Sequence, residues 1–211
     1  MKKSILALCA LTMAASLVAC GGGTSTYTIG GTVTGLQYPG LVLTNNLNDD
    51  VALAPLPLAA NGVVQDVKYQ FGKQLDYGDV YSVTVKTQPA HQDCKAAGGT
   101  ADTAGRLTVI EAGISCSLVT NPVGGTIKGL AADGLELNNG GVTTGKIVKD
   151  ATSLLYPTSF TLPVLVTYKQ TYGVTILTQP TGQTCTVTNG AGEMGDSVVT
   201  NVEVNCVNNP S

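Results

Sequence analysis

The sequence says one thing twice. Gly30-Gly31-Thr32-Val33-Thr34-Gly35-Leu36 returns as Gly124-Gly125-Thr126-Ile127-Lys128-Gly129-Leu130, and Gly40-Leu41-Val42-Leu43-Thr44-Asn45-Asn46 returns as Gly134-Leu135-Glu136-Leu137-Asn138-Asn139-Gly140, both 94 positions on. Tyr81-Ser82-Val83-Thr84-Val85-Lys86-Thr87-Gln88-Pro89 returns as Tyr172-Gly173-Val174-Thr175-Ile176-Leu177-Thr178-Gln179-Pro180, 91 positions on. Cys94 answers Cys185 at the same offset of 91, and Cys116 answers Cys206 at 90. Small slips in offset place insertions in loops, the longest in the first copy around Ala54 to Val67. A period of this length means a repeated structural unit. The units run over 27–119 and 122–207 and join near Asn121-Pro122.

Each unit reads as β. Tyr81, Val83 and Val85 alternate with Ser82, Thr84 and Lys86; Tyr172, Val174 and Ile176 repeat the pattern; Val202, Val204 and Cys206 alternate with Asn201, Glu203 and Asn205. Period-two alternation of β-branched and aromatic residues marks half-buried strands. Turn residues punctuate the chain, as in Tyr38-Pro39-Gly40, Asn61-Gly62, Tyr77-Gly78, Gly98-Gly99 and Asn189-Gly190. That punctuation predicts about seven short strands per unit. With 43% apolar residues, the chain has enough to bury and is not a disordered polymer. With only 12% charged residues it lacks the polar faces of a helical bundle. The expected fold is all-β: two tandem small antiparallel β-sandwich units.

These motifs carry a resemblance. A Gly-x-Val-x-Gly-Leu opening, a Gly-Leu-x-Leu strand, the aromatic strand Tyr69-Gln70-Phe71 (echoed by Phe160-Thr161-Leu162) and the Tyr-x-Val-x-Val strand resemble the immunoglobulin-like and prealbumin-like sandwich modules of secreted bacterial proteins. The resemblance covers nearly all of 27–207. It implies spacers, stalks or binding units.

The N-terminus reads as a sorting signal. Lys2 and Lys3 precede a mostly apolar run from Ile5 to Ala19, shorter than the ~20 residues a membrane span needs. The run ends Leu17-Val18-Ala19-Cys20-Gly21, which resembles the lipobox of bacterial lipoproteins. The resemblance implies a signal peptide over 1–19, cleavage between Ala19 and Cys20, and a diacylglyceryl group on the Cys20 thiol. Two acyl chains give the stable anchoring that one cannot. Residues 20–26 then form a flexible Gly/Ser/Thr tether. Gly21 after the lipidated Cys is compatible with release to the outer membrane. Without Lys2 and Lys3, nine Lys plus Arg face fourteen Asp plus Glu, a net charge of −5. The membrane contact is therefore expected through the lipid, since anionic lipid repels an acidic body. A basic patch for nucleic acid is absent from the sequence.

Cys9 leaves with the signal and Cys20 takes the lipid, so four cysteines remain, with three possible connectivities. A unit that folds alone can close only its own pair. The expected disulfides are Cys94–Cys116 and Cys185–Cys206, each stapling the last hairpin of its unit, as suits an exported chain. The wide spacing disfavours zinc, which takes tight ligand pairs.

Other chemistry is thin. His91, the one histidine, lies beside Asp93 and Cys94; its counterpart in the second unit is Gly182, and an exposed loop residue is expected rather than a Cys–His nucleophile. Gly140-x4-Gly145-Lys146 imitates a phosphate loop, but Ile147 stands where Ser or Thr should be, and a hairpin turn is expected. The Asn45–Asp50 loop is rich in oxygen and leaves calcium open beside plain turn chemistry. The pairs Asp76/Asp79 and Glu193/Asp196 sit in turn-like stretches. No cofactor and no catalytic role are expected. The expected role is a structural or interaction lipoprotein of the cell envelope. The alternative is an adhesin or a glycan or ligand binder using loop residues, with Tyr38, Tyr77 and Tyr156 as candidate contacts. Clustering of these tyrosines at one end would favour binding, and scatter would favour the structural role.

Overall fold

The computed structural model describes residues 25–106 and 110–210; the signal peptide, Ala19 and Cys20 lie outside them. All regular elements among the described residues are strands. The first unit holds β1 (Thr26–Thr34), β2 (Leu41–Asn45), β3 (Asp49–Leu53), β4 (Val67–Asp76), β5 (Val80–Thr87), β6 (Gln92–Gly98), β7 (Ala101–Thr103) and β8 (Gly113–Leu118). The second holds β9 (Thr120–Asn121), β10 (Val123–Lys128), β11 (Glu136–Asn139), β12 (Val142–Thr143), β13 (Ser159–Thr161), β14 (Val166–Thr167), β15 (Thr171–Thr178), β16 (Gln183–Thr188), β17 (Ala191–Glu193) and β18 (Val199–Asn208).

Each unit is a sandwich of two four-stranded sheets. In the first, sheet β4-β1-β8-β6 faces sheet β3-β2-β5-β7; in the second, β13-β10-β18-β16 faces β12-β11-β15-β17. The strand orders superpose element by element, as the sequence repeat requires. The alternating residues behave as read: Tyr81 and Val83 are buried, as are Val202, Val204 and Cys206, with exposed or half-exposed partners between them. One core gathers Ile29, Val33, Leu41, Leu43, Phe71, Tyr81 and Ile114, and another gathers Val123, Leu135, Leu137, Phe160, Val174, Val202 and Val204. Among the described residues each cluster draws on its own unit alone.

Two features depart from expectation. The sheets are not purely antiparallel. β1 runs parallel to β8 (Val33 opposite Ile114), and β10 runs parallel to β18 (Ile127 opposite Val204). The first and last strands of each unit thus share a direction, so the chain enters a unit at one end and leaves at the other. The disulfides also do not staple a simple hairpin. Cys94 lies directly opposite Cys116 and Cys185 opposite Cys206 on adjacent strands. The short β7 and β17, however, cross to the other sheet between the bonded strands. Both expected bonds are present, Cys94–Cys116 and Cys185–Cys206.

The doubled glycine that opens each repeat has a packing cause. Ala112 donates its N–H to the Gly30 carbonyl at 2.8 Å. A Cβ at Gly31 would overlap the backbone carbonyl of Ala112, and one at Gly125 would overlap that of Val202. The parallel neighbour comes that close only because the side chain is missing.

The second unit's opening strand is broken where the first unit's is continuous. Pro122 occupies the position of Thr28, lacks an N–H, and divides β9 from β10. β9 pairs with β14, so the joining residues belong to the second unit's sheet edge.

Gly125→Ala should therefore destabilise the second unit by at least the ~1–3 kcal/mol of an overpacked core, read as a lower denaturation midpoint. Cys185→Ala with Cys206→Ala should cost about 2–4 kcal/mol through the loop the bond closes, and peptide mapping without reductant should recover no link between the two units.

Candidate functional site: the joint between the units

The joint is built by paired glutamines. Buried Gln92 accepts the N–H groups of Gln37 (2.7 Å) and Tyr38 (3.0 Å) at Oε1 and donates Nε2–H to the Gly35 carbonyl at 2.7 Å. Gln183 does the same in the second unit: it accepts from Ala131 (2.8 Å) and Ala132 (3.1 Å) and donates to Gly129 at 2.9 Å. A second pair reads the cysteine strand. Gln88 receives the Cys94 N–H at 2.8 Å and donates to its carbonyl at 3.0 Å; Gln179 treats Cys185 alike at 2.7 and 3.0 Å. These side chains complete backbone groups that no strand satisfies, and they fix the 35–40 loop and the 89–92 turn against each other.

At this end the two copies diverge. The first unit presents Tyr38 and His91 where the second has Ala132 and Gly182. His91 adopts a left-handed backbone at φ 58°, and Gly182 has φ 69°. Histidine visits that region at a cost of about 1 kcal/mol that glycine avoids. The cost is offset across the joint. The imidazole stacks on Tyr168 of the second unit with ring centroids 4.1 Å apart and planes 8° from parallel. Its Nδ1 lies 2.7 Å from the Asp196 carboxylate. Tyr38 meets the edges of both rings, at 4.8 Å from His91 and 5.8 Å from Tyr168. The Lys169 ammonium stands 5.9 Å from the Tyr38 ring centre and 5.8 Å from that of Tyr168.

Val119 joins both halves. Its N–H donates to the His91 carbonyl at 3.0 Å, and its own carbonyl accepts the Tyr168 N–H at 2.9 Å. Asn121 adds a side-chain bond to the Gly195 carbonyl at 3.2 Å. Each contact is modest. A stacked pair is worth ~0.5–1.5 kcal/mol beyond area burial, and an imidazole–carboxylate contact this exposed ~0–1 kcal/mol. Together with two backbone bonds they give the units one preferred orientation. His91 is thus a half-buried interface residue and not the free loop histidine expected. Its strained backbone and aromatic surroundings are invisible without the partner unit.

The other candidates fall apart in space. Tyr38 is in the joint. Tyr77 stands exposed at the opposite end of the first unit, near Tyr27 with ring centroids 6.4 Å apart. Tyr156 lies in a loop of the second unit with the Lys149 ammonium 5.2 Å from its ring centre. Desolvation, then the neighbouring Asp133 carboxylate, push its phenol pKa up.

The oxygens of the Asn45–Asp50 stretch are spread along the β2–β3 hairpin and already engaged. Asn45 Oδ1 accepts the Ser82 N–H at 3.1 Å, Asp49 accepts the Lys73 N–H at 2.9 Å, Lys73 Nζ donates to Asn48 at 2.8 and 3.2 Å, and Asp50 pairs with Lys86. Among the described residues no three His, Cys, Asp or Glu side chains gather as a metal set. Gly140 and Gly141 form the tight turn between β11 and β12, with φ 57° and 90°. Asp79 accepts the Asp76 N–H at 3.1 Å, an ordinary turn bond, and Asp196 belongs to the joint.

A groove of about 710 Å³ runs beside β1, lined by Tyr27, Gly31, Lys68, Tyr69 and Glu111. Its counterpart of about 400 Å³ lies beside Gly125, Phe160 and Val199. The repetition marks both as products of the fold.

His91→Gly should relieve the left-handed strain and leave the first unit folded with no lower melting midpoint, while widening the distribution of distances between spin labels placed one on each unit. Asp196→Asn should widen it less, since the ring stack remains. An unchanged distribution in His91→Gly would show that the other contacts suffice to fix the joint.

No known protein family matches the sequence, and no curated protein does. Among solved structures, "The Bacillus anthracis TIE protein" is similar at a TM-score of 0.42 and 15% identity, with 85% of this chain and 34% of that one covered. The chain thus spans about a third of the length of that structure.

Proposed function

We propose that the chain is a lipid-anchored protein of the bacterial cell envelope that acts as a non-catalytic structural or interaction module, two sandwiches held in line on a short tether. The observation that carries the reading is the joint. Tyr38, His91 and Asp196 depart from the repeat where the units meet, and with Tyr168 they tie one unit to the next. A chain that needed only two independent domains would gain nothing from a histidine in a glycine's backbone position. The Leu17-Val18-Ala19-Cys20 box and the two disulfides support export and anchoring. The scatter of Tyr38, Tyr77 and Tyr156 over three separate places supports the structural reading over a glycan or ligand site formed from their loops.

Cys20→Ser should abolish incorporation of labelled palmitate and leave the signal peptide uncleaved, and the protein should leave the membrane fraction. Labelling that persists in Cys20→Ser would overturn the anchoring.

A further inference from the structure

The end of the first unit opposite the joint carries apolar side chains that the fold does not need. Leu47 is 82% exposed, Tyr77 73% and Val80 68%. They belong to one surface. The β2–β3 turn is tied to the start of β5 by the Asn46 side chain, which donates to the Val80 carbonyl at 2.9 Å, and Tyr77 lies in the turn just before Val80. Leu47 also holds a left-handed backbone at φ 61°. A γ-branched residue there costs about 1 kcal/mol, and at this exposure it gains no packing in return. A strained residue that packs on nothing points to a role outside the fold.

The repeat supplies the comparison. The same end of the second unit is covered by the first unit, through Tyr168 and Asp196. Tyr77 is the counterpart of Tyr168, and it is the one member of that surface retained. Around it the second unit has Gly140-Gly141, Thr171 and Asp196 where the first has Asn46-Leu47-Asn48, Val80 and Arg106. The free end has thus gained two apolar side chains and carries Arg106 in place of Asp196, together with Asp76, Asp79 and Asp102 where the second unit has Thr167, Gln170 and Gly192. A second copy of the chain is a poor fit to it. The opposite end of the second unit offers Ala132 and Gly182 where Tyr38 and His91 would be needed.

We propose that this end, built by Leu47, Tyr77, Val80 and Arg106, beds into the headgroup layer of the phospholipid membrane; the proposal rests on the lipid-anchor reading of Cys20. Thr26 pairs with Asp76, immediately before Tyr77, so the chain enters the unit beside the patch. Cys20 is six residues upstream of Thr26, a reach of at most ~20 Å at ~3.3–3.6 Å per residue. An acyl chain on Cys20 therefore keeps this end, and not the joint, at the membrane. The chemistry suits that layer. Tyrosine places an apolar ring with a wet hydroxyl at the headgroups, leucine and valine enter the acyl boundary, and Arg106, bonded to Asp102 at 2.9 Å, can also face phosphate. Asp76, Asp79 and Asp102 stand at the same end, so the surface fits zwitterionic phospholipid and not an anionic one.

The chain has no tryptophan, so one introduced residue reports alone. Tyr77→Trp, Leu47→Trp and, as a control on the second unit, Leu177→Trp would be purified from membranes, with the mass of the intact protein showing whether Cys20 is acylated. Each would be placed in phosphatidylcholine–phosphatidylethanolamine vesicles with brominated acyl chains. The expected result is a blue shift and loss of emission for Tyr77→Trp and Leu47→Trp, with Leu177→Trp unchanged. Acylated protein whose two reporters keep water-like, unquenched emission would overturn the patch and spare the anchor. Protein without acylation would overturn the anchor reading; quenching of both reporters at high lipid concentration would then still support the patch, and its absence would overturn it. A blue shift without vesicles that grows with protein concentration would mean that a second copy covers the surface, and would also overturn the proposal.

Discussion

The parallel pairing of first and last strands governs the rest of the molecule. In an all-antiparallel sandwich with an even number of strands the ends tend to meet at one end. Here β1 with β8 and β10 with β18 run side by side in the same sense, so entry and exit lie at opposite ends of each unit. The second unit can then begin where the first stops, without a return linker. The close approach needed for that pairing is what removes the side chain at Gly31 and Gly125. That contact thus accounts for the second glycine of the pair that opens each repeat and for the end-to-end order of the units, while the first glycine faces the Tyr69 or Phe160 carbonyl of the antiparallel neighbour.

The glutamines make that order precise. Gln92 and Gln183 sit buried at the exit ends and satisfy three backbone groups each. A buried amide so used is costly to move, because any displacement leaves unpaired backbone donors. In the first unit the brace places Tyr38 and the neighbouring His91 against Tyr168. In the second unit the same brace holds up Ala132 and Gly182, which carry neither the ring nor the imidazole of the first unit.

Much of this was legible in the sequence, for physical reasons. Alternation in Tyr81–Val85 and Val202–Cys206 reports which face is buried, and the structure buries those faces. The repeat chose among the three cysteine pairings. Other features were hidden because they depend on contacts between distant segments. Nothing local to Gly30-Gly31 announces a parallel neighbour. Gln88 and Gln92 look like surface residues until the groups they complete are placed beside them, although their recurrence as Gln179 and Gln183 was a usable signal. His91 looks like an exposed loop residue because its partners, Tyr168 and Asp196, are 77 and 105 positions away; the informative clue is that a histidine replaces a glycine.

The disulfide position has a mechanical consequence. Tension applied through the two ends of a unit loads its parallel terminal strands in shear, so their hydrogen bonds must fail together and not one by one. In the second unit that shared load falls on the longer register, from Val123 to Lys128. If the strands part, the segments between Cys94 and Cys116 and between Cys185 and Cys206, 22 and 21 positions in span, remain closed and cannot lengthen. Each crosslink therefore shortens the stretch a unit can yield and leaves two bonded strands as a template for its recoil.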